Sequence, residues 1–117
     1  MSWRRTKRGR SSASWTNTSF VVLLTIHLHL PGNGSLKGKR KELLSIRATL
    51  TRRFGASVAE VDDHDLWQRA TLAAGLVSGS AHELERSVDG IERYLLARYP
   101  DGVRVERRLV SFADIDA

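Results

Sequence analysis

The chain has 117 residues, no cysteine and a net charge of +6. This size fits one domain with its own core, and the lack of cysteine excludes disulfides and thiolate chemistry. Five Lys and Arg residues among the first ten carry most of the net charge, and no apolar run is long enough for a membrane-spanning helix, so we expect a cytoplasmic protein without a membrane partner.

Residues 1–18 are basic and then rich in Ser and Thr, without apolar periodicity, which predicts a disordered tail. An export signal is disfavoured because His27 and His29 interrupt the first apolar segment. We predict a single folded domain over residues 19–113 and a frayed C-terminus over residues 114–117.

The segment from Phe20 to Leu30 predicts the first strand. Strict alternation places one set of apolar side chains on a single face, while His27 and His29 lie on the other face. Both faces are apolar at the start of the strand, which indicates a central position in its sheet. The apolar set is Val22, Leu24, Ile26, Leu28 and Leu30.

A basic helix is predicted next. Ser35 is placed to cap a helix that ends near Arg53, with Glu42 as its only acid. Free backbone N–H groups and the helix dipole at its start favour an anion, which indicates phosphate or RNA contact. The alternative is an ordinary solvated face. The predicted phosphate ligands are Lys37, Lys39, Arg40, Lys41, Arg47, Arg52 and Arg53.

A hairpin is predicted over residues 57–77. Period-two patterning flanks an acidic turn, and the second strand is expected to begin near Leu66. Glu60 is expected to pair with Arg69 across the two strands.

The remaining segments complete a βαββαβ order. Ser80 and Glu83 fit a capping box that opens a second helix, and Val103 to Phe112 forms the last strand. Adjacent Arg107 and Arg108 predict a bulge or an edge position there. Right-handed crossovers then favour an α+β ferredoxin-like sandwich, with a four-stranded antiparallel sheet in the order 4-1-3-2 and two helices on one face.

Two segments resemble the YlxP-like family of small bacterial proteins (domain of unknown function 503). They are SLKGKRKELLSIRATLTRRF, residues 35–54, and ASVAEVDDHDLWQRATLAAGLVS, residues 56–78. The resemblance covers about residues 20–112 and implies a ferredoxin-like fold without known catalytic residues. The genes of the family lie near those for translation initiation and ribosome maturation, which implies a ribosome or RNA role. Gly38 departs from the family, which commonly has an acid there.

The exposed sheet face offers a secondary contact. His27, His29, Trp67, Arg69 and Thr71 are expected to gather there, either to stack RNA bases or to form a homodimer interface.

Other chemistry has weaker support. A metal site from His27, His29 and the turn residues lacks a recognised ligand spacing, and we predict no metal and no cofactor. Glu60, Asp62 and His64 could form an acid–base group, but no nucleophile motif or phosphate loop accompanies them. We therefore predict a non-enzymatic protein without catalytic residues, with a metal- or small-molecule-dependent enzyme as a further alternative.

Overall fold

The computed structural model describes residues 17–115. Residues 1–16 of the predicted tail, and residues 116 and 117 of the predicted frayed end, lie outside the described residues. The elements are β1 (Phe20–His29), α1 (Leu36–Phe54), β2 (Ser57–Asp62), β3 (Arg69–Ser78), α2 (Ala81–Arg98), β4 (Val103–Ser111) and α3 (Phe112–Ile115). No helix in this part of the chain is long and apolar enough to cross a membrane.

The four strands form one antiparallel sheet in the order β2-β3-β1-β4. This is the predicted order, and the ferredoxin-like α+β fold is confirmed. Leu28 of β1 pairs with Ala70 of β3 on one side and with Val103 of β4 on the other. The central position predicted for β1 is therefore confirmed as well.

The core lies between one face of the sheet and helices α1 and α2. Every second residue of β1 from Val22 to Leu28 is buried, and so is Leu30 directly after the strand, as the alternation predicted. Burial of this apolar surface is the main favourable contribution to folding. The helices contribute Leu43, Ile46, Leu50, Leu84, Val88, Ile91 and Leu95 to the core.

Side-chain caps begin both long helices. The Ser35 hydroxyl accepts the Gly38 N–H at 3.0 Å, as predicted. The Ser80 hydroxyl accepts the Glu83 N–H at 3.2 Å. The second half of the predicted capping box passes through Ser78, whose hydroxyl accepts the Ser80 N–H and donates to the Glu83 carboxylate.

Three details refine the sequence predictions, at the start of β3, in β4 and near the C-terminus. β3 begins at Arg69, so Leu66 and Trp67 lie in the β2–β3 connection rather than in a strand. Of the two alternatives predicted for β4, the edge position is confirmed, because β4 ends the sheet and its pairing with β1 is continuous. The irregularity in the sheet is in β2, between Glu60 and Asp62. Residues 112–115, which overlap the end expected to fray, form one helical turn.

Candidate nucleic-acid interface

Helix α1 exposes a row of cations, here called the basic face. Because an α-helix rises about 1.5 Å per residue, the row extends over about 22 Å from its first to its last member. No ion pair within residues 17–115 engages these side chains. The basic face consists of the exposed residues Lys37, Arg40, Lys41, Arg47 and Arg52.

The single acid of α1 is turned away from the basic face. Glu42 Oε2 lies 3.1 Å from the Arg98 guanidinium and accepts a hydrogen bond from the Tyr99 hydroxyl. Burial, together with this hydrogen bond, raises the pKa of Tyr99 well above its ordinary value. Glu42 is therefore held at the α1–α2 boundary and leaves the charge of the basic face uncompensated.

Three arginines of α1 also make local contacts. Arg47 donates to the Val58 carbonyl oxygen at 3.1 Å, and Arg52 donates through Nε to the Ala48 carbonyl oxygen at 3.4 Å. Each contact uses one of the five N–H groups of a guanidinium, so the others can still meet a phosphate. Arg53 instead lies over the rings of Phe54 and Tyr94, 5.0 and 5.6 Å from their centroids, which turns it toward α2.

Lys39 is a structural residue, and its assignment as a phosphate ligand is wrong. Its side chain is only 2% exposed. The ammonium donates to the carbonyl oxygens of Asp63 and Leu66, the latter at 2.8 Å. Glu60 Oε2 lies 3.0 Å away as an ion pair without hydrogen-bond geometry. Lys39 therefore ties α1 to the β2–β3 loop.

Helical spacing could have revealed this role. Lys39 precedes Leu43 by four residues, which places both on the same face of a helix. Leu43 belongs to the buried stripe, so position 39 points toward the sheet. The basic composition of the segment concealed this signal.

The predicted pairing of Glu60 with Arg69 is also wrong. Glu60 lies opposite Leu72 in the β2–β3 register and pairs with Lys39 on the helix side of the sheet. Arg69 lies opposite His29 of β1. The last pair between β2 and β3 joins Asp62 and Thr71, so Arg69 lies beyond the residues that pair with β2.

The open sheet face, on the side away from α1 and α2, does bring several predicted residues together. His27, His29, Arg69 and Thr71 line a depression of about 410 Å³, joined by Arg104 of β4. The His27 ring lies 3.1 Å from the Glu106 carboxylate, and this contact, together with Arg104, lowers the pKa of Glu106.

Two of the acids considered for metal binding or catalysis have other partners. Asp63 accepts a hydrogen bond of 2.8 Å from the Thr71 hydroxyl, and Glu60 is held by Lys39. No group of three His, Asp or Glu side chains within residues 17–115 is placed to hold a metal ion. The positive φ of Asp63, 64°, shapes the turn that carries these residues.

Trp67 is apart from the histidines. It lines a shallow recess formed by residues 65–69, and of the predicted secondary contacts only Arg69 borders both this recess and the depression. Loop geometry causes the separation, because the Trp67 carbonyl oxygen accepts a hydrogen bond of 2.6 Å from Asn33, which precedes α1.

Asn33 also accounts for Gly38, the departure from the resembled family. The Asn33 amide donates to the Ser35 carbonyl oxygen at 2.8 Å, which folds its side chain over the first turn of α1. A Cβ at position 38 would overlap Asn33 Oδ1. Glycine at this position therefore makes room for the side chain that joins α1 to Trp67.

The opposite end of the open sheet face is apolar. Leu23 is 56% exposed and Val77 is 72% exposed, on neighbouring strands. Leu23 extends over Gly75, because its Cδ2 would lie 3.7 Å from a Cβ at that position. The open face thus combines an apolar end with a charged end.

Comparison with solved structures concerns the fold. The de novo designed protein Foldit4 has a TM-score of 0.56 and 16% identity, over 79% of this chain and 96% of that one. The 30S ribosomal protein S6 from Thermotoga maritima, at a TM-score of 0.40 and 9% identity over 83% of this chain and 92% of that one, is too distant to carry an argument.

Sequence comparison is more specific. The uncharacterized protein YlxP of Bacillus subtilis (strain 168) is 31% identical over 62 residues, which are 53% of this chain and 67% of that protein. The family described as "Protein of unknown function (DUF503)" matches residues 21–108. The chain belongs to the DUF503 family.

Proposed function

We propose that this protein is a non-enzymatic factor that associates with ribosomal or other structured RNA. The basic face would hold phosphates along one strand of the RNA. Arg53 would extend the contact at the end of α1, and Lys39 would support the loop from inside. The charged end of the open sheet face, with His27, His29 and Arg69, would be a secondary contact.

One observation carries the proposal. Five cations extend along one helix without a carboxylate partner among the described residues, while the acid of that helix is engaged elsewhere. Cations that neutralise phosphates release condensed counterions, which makes RNA binding depend steeply on salt. Exposed cations on a helix that serve only solubility are normally interspersed with acids.

The test is a salt titration of RNA binding. Fluorescence anisotropy with a labelled RNA of mixed sequence would give the dissociation constant at rising potassium chloride. Each phosphate contact contributes about 0.7 to the log–log slope for an unpaired strand. Lys37→Ala with Lys41→Ala should therefore reduce the slope by about 1.4. Ribosome co-sedimentation of the same variants would show whether ribosomal RNA is a target.

A matched control exists on α2. Arg86 and Arg93 are exposed arginines of that helix, so Arg86→Ala with Arg93→Ala removes the same charge from a different surface. Every measurement uses the full chain, so that the basic residues of the first ten positions contribute equally to RNA binding by each variant. The proposal fails if RNA does not bind at low salt, or if both double variants change the slope equally.

The apolar end of the open sheet face supports a second candidate function, an oligomeric interaction module. Exposed contiguous apolar surface on a sheet is typical of protein contacts. A second copy of the chain could cover Leu23 and Val77 with its own open face in a twofold arrangement.

Analytical ultracentrifugation would test this second candidate. Leu23→Gln should weaken a dimer by at least fivefold if Leu23 lies at the centre of the interface. Leu96→Gln is the control, because Leu96 of α2 is 51% exposed on a different surface. A monomeric parent protein, or equal effects of both substitutions, would exclude the sheet-face dimer.

A further inference from the structure

We infer that Trp67 stacks on an unpaired base of the RNA whose phosphates lie on the basic face, so that the bound segment of the structured RNA is an unpaired one, such as a loop or an end. This inference rests on the proposed function and narrows it. Three observations support it. The Trp67 side chain is exposed, hydrogen bonds hold the backbone on both sides of it, and its loop is joined to the start of α1.

Trp67 is half exposed while its backbone is fixed. The indole is 52% exposed, and Leu66 beside it is 46% exposed. The carbonyl oxygens of residues 66, 67 and 68 accept hydrogen bonds from Lys39, Asn33 and the Leu30 N–H, at 2.8, 2.6 and 2.8 Å. Because the loop is already ordered, binding at Trp67 costs little further conformational entropy.

The position of Trp67 links it to the basic face. Asn33 donates hydrogen bonds to both Ser35, the cap of α1, and Trp67. The indole therefore belongs to a loop fastened to the first turn of α1, where Lys37 is exposed. Arg69 also lines the recess that contains Trp67, and Asp65 is the single acid among the lining residues. Arg69 beside the indole, and Lys37 on the helical turn to which the loop is fastened, supply cations for the phosphates of a strand whose base lies on Trp67.

Stacking selects unpaired RNA for a geometric reason. A base within a duplex has both of its faces covered by its neighbours, whereas a base in a loop or at an end can lie against an aromatic ring. The base–aromatic contact is independent of sequence because every base has a π-face. Trp67 would therefore stack on any unpaired base and would give no sequence preference.

The experiment compares Trp67→Ala, Trp67→Phe and the parent chain on an unpaired RNA and on the same sequence as a duplex. Trp67→Ala should weaken binding to the unpaired RNA roughly 5- to 150-fold, with the salt slope unchanged. Trp67→Phe should restore most of the affinity, and duplex binding should respond to neither. In a chain with Trp3→Phe and Trp15→Phe, Trp67 is the only tryptophan, and unpaired RNA should quench its fluorescence.

The outcomes separate the two claims. If Trp67→Ala leaves unpaired RNA binding unchanged while Lys37→Ala with Lys41→Ala weakens it, the stacking inference is overturned and the proposed function stands. If neither Trp67→Ala nor Lys37→Ala with Lys41→Ala changes RNA binding, the proposed function is wrong, and the stacking inference that rests on it is wrong as well. If Trp67→Ala abolishes self-association and leaves RNA binding intact, the recess around Trp67 is a protein contact and the stacking inference is likewise overturned.

Discussion

Replacing Lys39 by methionine tests whether this lysine stabilises the fold or binds phosphate. Methionine keeps the unbranched apolar stem and removes the ammonium group. The substitution would leave the Leu66 carbonyl oxygen without the ammonium donor, while the Asp63 carbonyl oxygen would keep only the Leu66 N–H at 3.1 Å. It would also leave Glu60 Oε2, which is buried, without its counter-charge. We therefore expect Lys39→Met to destabilise the protein strongly.

The magnitude follows from the burial of the pair. Removing one partner of a buried ion pair costs about 3–5 kcal/mol, because the other charge remains uncompensated. The partial exposure of the Glu60 side chain, 21%, favours the lower end of that range. The total free energy of unfolding of a small domain is about 5–15 kcal/mol, so the loss would be a large part of it. Glu60→Gln added to Lys39→Met should restore some stability, because the unpaired charge is then absent.

Urea unfolding followed by circular dichroism would measure these differences. Lys41→Met is the matched control on the same helix, and its exposed side chain should make the change smaller than about 0.5 kcal/mol. RNA binding by folded Lys39→Met should keep the salt slope of the parent chain. A stability change below about 1 kcal/mol, combined with a reduced slope, would falsify the structural assignment of Lys39 and return it to the phosphate ligands.

Two further predictions concern Tyr99 and Gly102. The raised pKa of Tyr99 means that the folded protein holds the phenol proton more tightly than the unfolded chain, so its contribution is complete below the ordinary pKa of 10.0 and is lost as pH rises above it. Tyr99→Phe should therefore reduce the decline in the unfolding free energy above that pH, and parallel alkaline profiles of the two proteins would contradict this. Gly102→Ala should cost about 1–3 kcal/mol, because its Cβ would lie 2.7 Å from the His29 carbonyl oxygen. Gly79→Ala, which meets nothing within 4 Å, should change the urea midpoint little, and an equal shift for both variants would contradict the close approach.

The fold followed from signals that are local in the sequence. The alternation of β1 gave its buried face, and the spacing of Leu43, Ile46 and Leu50 gave the buried stripe of α1. Ser35 and Ser80 marked both helix starts because the caps depend on nearby backbone N–H groups. Strand order then followed from the handedness of crossover connections.

The candidate site was less accessible because it depends on tertiary hydrogen bonds. The start of β3 is set by a loop that Asn33 and Lys39 hold from another element. The pattern around Trp67 alternates as a strand would, so periodicity alone placed it in the sheet. Glu60 was assigned to the wrong partner because the pattern implied a shorter connection than the one between Asp62 and Arg69.

The layered architecture places the two proposed surfaces on opposite sides of the sheet. Helix α1 packs against one face, and Leu23 and Val77 lie on the other. A dimer formed through the open faces would therefore point its two basic faces away from each other. Two RNA segments could then bind one dimer, and joining them in one molecule would raise the overall affinity through effective concentration. RNA binding on the basic face is thus compatible with self-association, whereas the secondary contact of His27, His29 and Arg69 lies on the sheet face that the dimer would use.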